Sequence, residues 1–199
     1  MSPTLEEAMS EQPPTPAYTQ AEAYAPMEAA VADIVAVLPD FPGFERRVWG
    51  KTPCSHDGVQ DPDYTNVEIE YRFTKEQSQT PLVRERYVDI LREHWTALGY
   101  RIIADRTLEA RDRIDRELIA FRPDDRVKLW YSAAFYTVVR IRSGCVPVSD
   151  LGEIEYVPPS GGIVPGGRND RVQRYFPDGI PSGDAVNPFD SPDSYEDSL

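Results

Sequence analysis

Apolar positions along this chain recur with two different periods, and the change of period marks out the elements. Met27, Ala30, Val31, Ile34, Val35 and Leu38 recur every three or four residues, the spacing of one helix face. Thr19 with Glu22 three residues later forms a capping-box pattern ahead of that face. Pro26 lies between the two, so the helix either starts there or is kinked there, and Pro39 ends it. Residues 66–73, NVEIEYRF, switch to strict alternation. Val67, Ile69, Tyr71 and Phe73 share one side while Asn66, Glu68, Glu70 and Arg72 share the other, as in a half-buried strand. Thr80 and Pro81 open a second helix with Val83, Tyr87, Ile90, Leu91, Trp95 and Leu98 on its apolar face, and Gly99 is placed to cap it.

Four further stretches read as strands: 100–104 (YRIIA), 117–121 (ELIAF), 127–131 (VKLWY) and 135–142 (FYTVVRIR). RPDDR between the second and third has hairpin-turn composition. The charged stretch 105–116 fits the continuation of a long hairpin better than a short helix. Helix, strand, helix and then a run of strands with short connections predicts an α+β two-layer sandwich. Its antiparallel sheet has about four to five strands, with two helices on one face. The domain so delimited spans 19–148. Residues 1–18, with four prolines and three acids, read as a disordered leader or tether. Residues 149–199, rich in Pro, Gly, Asp and Ser, read as a largely extended or disordered tail. A second reading of the tail has Ile154, Tyr156, Tyr175 and Phe176 anchoring it along the domain or on a partner.

Charge sharpens this division. The net charge is −13 over 199 residues, but the acidity sits in the flanks. Residues 1–40 hold Glu6, Glu7, Glu11, Glu22, Glu28, Asp33 and Asp40 with no Lys or Arg, while acids and bases nearly balance between 41 and 149. A chain without a net positive footprint is a poor ligand for phosphate backbones, so a nucleic-acid partner is not expected. No segment approaches the roughly 18 apolar residues of a membrane span. The most apolar run, 29–38, carries Asp33 and has no basic residues before it, unlike a signal peptide.

Only two cysteines are present, Cys54 and Cys145. They are read as lying in the loop before the first strand and at the exit of the last. Either they are two buried thiols of a cytosolic protein, or they close a loop of about 90 residues, worth roughly 4–5 kcal/mol in the chain-entropy model. A helix ending in LP, a Trp shortly before a Cys in VWGKTPC, a second helix ending W…LGY and strands closing on SGC resemble small uncharacterised actinobacterial secreted proteins and lipoproteins. The residues that carry the resemblance are Trp49, Cys54, Trp95, Gly99, Tyr100, Ser143, Gly144 and Cys145, and it spans 27–148. It implies a cell-envelope location and a structural Cys54–Cys145 bridge, and it brings no catalytic residue. An extracytoplasmic location is then expected if Met1 replaces a removed export signal, and a cytoplasmic one otherwise.

Candidate chemistry is sparse. Cys54 and His56 in CSHD, with His94 as the second imidazole, do not make up a four-ligand zinc set, and a His56-activated thiol is incompatible with a bridged Cys54. Asp57, Asp61, Asp63 and Asn66 cluster like a hard-cation loop but lack the EF-hand glycine and terminal glutamate. No catalytic residue, metal or cofactor is therefore expected. Trp130, Tyr136 and Tyr131 divide between the two sheet faces, so a face left open by the helices presents aromatics to a ligand, a partner or the tail. The reading these features favour is a non-enzymatic binding or accessory protein whose partner is a protein or envelope component. Its rival is an immunity or inhibitor protein docking on a basic toxin or enzyme.

Overall fold

The computed structural model describes residues 16–56, 58–109 and 113–180, and of His56 the backbone alone. Helix α1 runs from Gln20 to Val37, and its capping box forms as the sequence suggests. Thr19 Oγ1 accepts from the Glu22 N–H at 3.3 Å, and the Thr19 N–H donates to Glu22 Oε2 at 2.8 Å. Pro26 lies inside the helix, so the helix starts six residues ahead of it. Helix α2 spans Tyr87–Ala97 and is entered through a wide turn at Leu82–Arg86. Gly99 follows with φ of 77°, the left-handed conformation in which glycine carries no Cβ penalty, while the Tyr100 N–H closes back on Trp95 O.

Among the described residues the sheet has seven strands rather than four or five. In chain order they are β1 Arg46–His56, β2 Val59–Arg72, β3 Arg101–Glu109, β4 Ile114–Phe121, β5 Lys128–Ala133, β6 Thr137–Pro147 and β7 Asp170–Arg171. They lie side by side as β3-β4-β5-β6-β2-β1-β7, antiparallel throughout except where β7 joins β1 in parallel. The long hairpin expected over 105–116 is formed by β3 and β4, with residues 110–112 outside the described residues. Beyond the expectation stand the two-residue β7, within the expected tail, and β1. Gly50 and Pro53 interrupt its pattern, and Pro53 is tolerated because the β1–β2 register shifts immediately after it.

Both helices cover one face. There Ile34 and Leu91 are fully buried with Ile69, Tyr71, Val139 and Ile141, and Val35 and Ile90 pack at the margin of the same core. The core does not stop at Val148. Ile154, Ile163, Val172, Tyr175 and Phe176 are buried within it, so the packed unit runs on to residue 180 and the expected boundary at 148 is too early. The anchoring reading describes this segment, because burial of those side chains offsets the ordering entropy that its Pro- and Gly-rich composition cannot offset locally. Residues 1–15 and 181–199, the outer parts of the expected leader and tail, lie outside the described residues.

The strap of residues 149–180 is held by charge as well as by packing. Arg47, fully buried on β1, donates from Nε to Asp170 Oδ1 at 2.7 Å, and from Nη1 to Glu28 Oε1 at 2.9 Å and to Val157 O at 2.6 Å. Trp49 Nε1 and the Tyr71 hydroxyl donate to the two Glu28 oxygens at 2.5 and 2.6 Å. Tyr156 and the Gly166 N–H donate to Asp170 Oδ2. One helix, two strands and the strap thus share a single guanidinium.

A cleft at the disulfide end of the sheet

Cys54 and Cys145 are bonded, with Cα atoms 5.9 Å apart. Neither lies in a loop, contrary to the placement read from the sequence for Cys54: it belongs to β1 and pairs with Asp61, while Cys145 pairs with Asn66 inside β6. The two strands flank β2, and at about 4.8 Å per strand step their backbones would stand too far apart for a bridge. The gap closes because β2 bulges here. Pro53 faces Thr65 but Cys54 faces Asp61, so residues 62–64 are looped out of the β1 ladder. Asn66 on β2 lies against the bridge, donating from Nδ2 to Cys54 Sγ at 3.0 Å.

The bridge forms the floor of a cleft. β5 begins at Lys128, opposite Arg142, whereas β6 runs on to Pro147, so residues 143–147 have a strand partner on the β2 side alone among the described residues. The space beside this overhang is a cleft of about 480 Å³ lined by Tyr18, Tyr64, Phe121, Arg126, Lys128 and Cys145 among others. A second cleft of about 540 Å³ adjoins it across Asp61 and Tyr64 and reaches Lys51 and Pro53. Cys145 is exposed while Cys54 is 1% exposed, so one sulfur faces the opening.

Asp125 shapes the cleft wall. Arg122 donates to both of its oxygens, at 2.8 and 2.6 Å, and the Tyr18 hydroxyl donates at 3.0 Å, which ties the residues ahead of α1 to the β4–β5 turn. Burial pushes the Asp125 carboxyl up. The Arg122 hydrogen bonds and charge, with the Val127 N–H and the Tyr18 hydroxyl, outweigh that and hold it below its ordinary value. A carboxyl depressed in the folded state adds stability above its unfolded pKa, and that stability is lost as pH falls through the folded value. Asp125→Asn is therefore expected to cost about 1–3 kcal/mol at neutral pH and progressively less below the ordinary aspartate range, by urea melts across pH.

The three aromatics singled out from the sequence divide between the two sheet faces. Tyr131 is fully buried and donates to Val83 O at 2.6 Å on the helix side. Trp130 and Tyr136 are half-buried on the opposite face, with Arg142 stacked over one ring and Arg72 over the other. Alternation along β5 forces the split, because residues 130 and 131 must point opposite ways. The rest of that face is an ion-pair ladder in which Arg140 meets Glu70 and Arg142 meets Glu68. His94 on α2 reaches Asp33 on α1, with Nε2 at 2.7 Å from Oδ2.

Among the described residues there is no group of three or more His, Cys, Asp or Glu side chains placed to hold a metal ion. Asp57 lies outside them, and Asn66 is committed to the disulfide. Glu28 is the acid that burial pushes above its ordinary value, and it is sealed under α1 rather than open to either cleft. No helix among the described residues is long and apolar enough to cross a membrane.

No family model, curated protein or solved structure matches this chain.

Proposed function

We propose that the chain is a non-enzymatic binding or accessory protein that works outside the cytoplasm, in the cell envelope, and that its binding site is the cleft beside the disulfide. The observation that carries this reading is the coincidence of three features in one place: an exposed bridge sulfur, half-buried aromatic walls and cations without acidic partners. Exposed concave sites with apolar walls and a few convergent polar groups are where ligands bind. The bridge supports the compartment, since disulfides persist in oxidising surroundings, and so does the resemblance carried by Trp49, Cys54 and the closing Ser143-Gly144-Cys145. A catalytic reading would need an acid or base in the cleft free to take up or release a proton; Asp125, the perturbed acid that lines it, is instead held by Arg122, Tyr18 and the Val127 N–H. Glu28, the acid raised by burial, lies elsewhere.

The test is site-specific photo-crosslinking in the native cell, with a benzophenone residue at Phe121 in the cleft or at Phe135, an exposed ring outside the cleft lining. A discrete adduct at 121, absent at 135 and found in the envelope fraction, is the expected outcome. Protein confined to the cytoplasm with both thiols free, or identical adduct patterns at the two positions, overturns it.

A further inference from the structure

The two adjoining clefts hold Lys51, Arg126 and Lys128, and all three are exposed. Among the described residues none of them is bonded to an acid, a carbonyl or a ring. Other exposed bases are held, Arg106 by Glu117, Arg174 on Trp49 O and Lys75 over Phe135, while Arg86, Arg168 and Arg171, exposed and without a bonded partner among the described residues, line neither cleft. The chain has only three lysines, and two of them line this groove. Arg126 moreover sits at φ of 64°, a left-handed conformation disfavoured for a residue with a Cβ, so the turn presents this cation at a conformational cost.

Beside these cations lies an unfinished sheet. β5 stops at Lys128, while β6 continues through residues 143–147 with one side unpaired by any strand among the described residues. Residues 16–18 form the far wall of the slot, held there by the Tyr18 hydroxyl on Asp125. An extended chain laid in the slot would carry on the line of β5. Its backbone would face the overhang, and its side chains would alternate between the open face, where Lys128 stands beside Phe121, and the helix face, where Tyr18 packs on the core. The two acids at the groove are already engaged. Asp125 is saturated by Arg122, Tyr18 and the Val127 N–H, and Asp61 accepts from the Asp63 N–H.

We infer that the groove binds an extended, acidic peptide segment of a partner protein, added alongside residues 143–147 of β6. Its carboxylates meet Arg126 and Lys128, and its apolar side chains lie against Tyr18. This inference rests on the proposed function, because it specifies what the same cleft takes. Strand addition supplies affinity through the main chain, and the alternating acid and apolar pattern supplies choice. The unpaired slot favours a peptide over an anionic glycan, which has no amide backbone to offer β6.

The test uses the intact, oxidised protein and a fluorescein-labelled probe peptide, Glu-Phe-Glu-Val-Glu-Phe-Glu, read by anisotropy. Saturable binding is expected, weakened on the order of tenfold in Arg126→Glu/Lys128→Glu, less in Lys51→Glu, and falling as salt rises. The three cations are exposed and unpaired, so the variants should melt with the wild type, and Arg126→Lys/Lys128→Arg should retain binding. A Lys-for-Glu version of the peptide should not bind. The inference fails if the probe does not saturate, if the charge-reversed variant binds as tightly as wild type, or if polygalacturonate binds in the groove and the peptide does not. A Phe121-specific adduct in cells together with a failed probe overturns the peptide and leaves the cleft standing as the site. Failure of both overturns the two readings together.

Discussion

Arg47→Met is expected to destabilise the protein by about 3–5 kcal/mol, whereas Glu28→Gln costs far less. The asymmetry follows from the charges. Two buried carboxylates, Glu28 and Asp170, share one buried guanidinium, so the wild-type cluster holds one negative charge in excess. Burial pushes the Glu28 carboxyl above its ordinary value; Arg47, Tyr71 and Trp49 pull it back only part of the way. Removing Arg47 leaves both acids without their counter-ion in a dry core and also frees Val157 O. Removing the Glu28 charge instead brings the cluster to neutrality, and an amide can still accept from Trp49 and Arg47.

The sign of the pH dependence follows from the same shift. A carboxyl raised in the folded state contributes stability that is fully present below its unfolded pKa and is lost as pH rises through the folded value. Glu28→Gln should therefore flatten the decline of wild-type stability with pH above the ordinary glutamate range. Urea unfolding of both variants over a pH series checks the pair of expectations. Equal losses from the two substitutions would show that the cluster acts through volume rather than charge.

Cys145→Ser is expected to lower stability by roughly 4–5 kcal/mol under oxidising conditions and the melting midpoint by about 10 °C or more. The bridge spans 91 residues, so breaking it restores a large loop to the unfolded ensemble. The same substitution should cost little when the wild type is kept reduced, which separates the covalent constraint from the packing of the side chain. Thiol titration of the unfolded, non-reduced wild type should find no free thiols. Two per chain would remove the bridge and with it the main support for an extracytoplasmic location.

Much of the fold was legible because periodicity survives where one face meets the core and the other meets water. The face from Met27 to Leu38, the alternation from Val67 to Phe73 and the Gly99 cap all report that boundary directly. β1 was not legible, because its inward positions include Arg47, a charge where the pattern calls for a hydrophobe, and Gly50 and Pro53 interrupt the rest. The strap was legible only as four isolated anchors. Its residues make almost no local structure, and their burial depends on partners such as Phe44, whose N–H donates to Gly161 O. The cleft had no local signal at all. It exists because β5 is shorter than β6 and because β2 bulges at 62–64, and both are properties of pairing rather than of any single segment. Lys128 and Arg126 could have drawn notice as unpaired bases at a turn in an acidic chain, but only the register shows that they face an open slot.

The shared guanidinium also sets an order of events during synthesis. Asp170 emerges 123 residues after Arg47, long after Glu28 and well after Cys145. A nascent chain that has reached Cys145 already contains six of the seven strands and both halves of the bridge, yet its Arg47 has only one of its two acids and the edge of β1 is still bare. Oxidation can thus precede closure, fixing the middle of the sheet before the last segment arrives to seal its side. A ribosome stall or truncation before residue 170 would release a molecule that is covalently locked but still sticky along one strand, which is the kind of species that quality-control proteases remove.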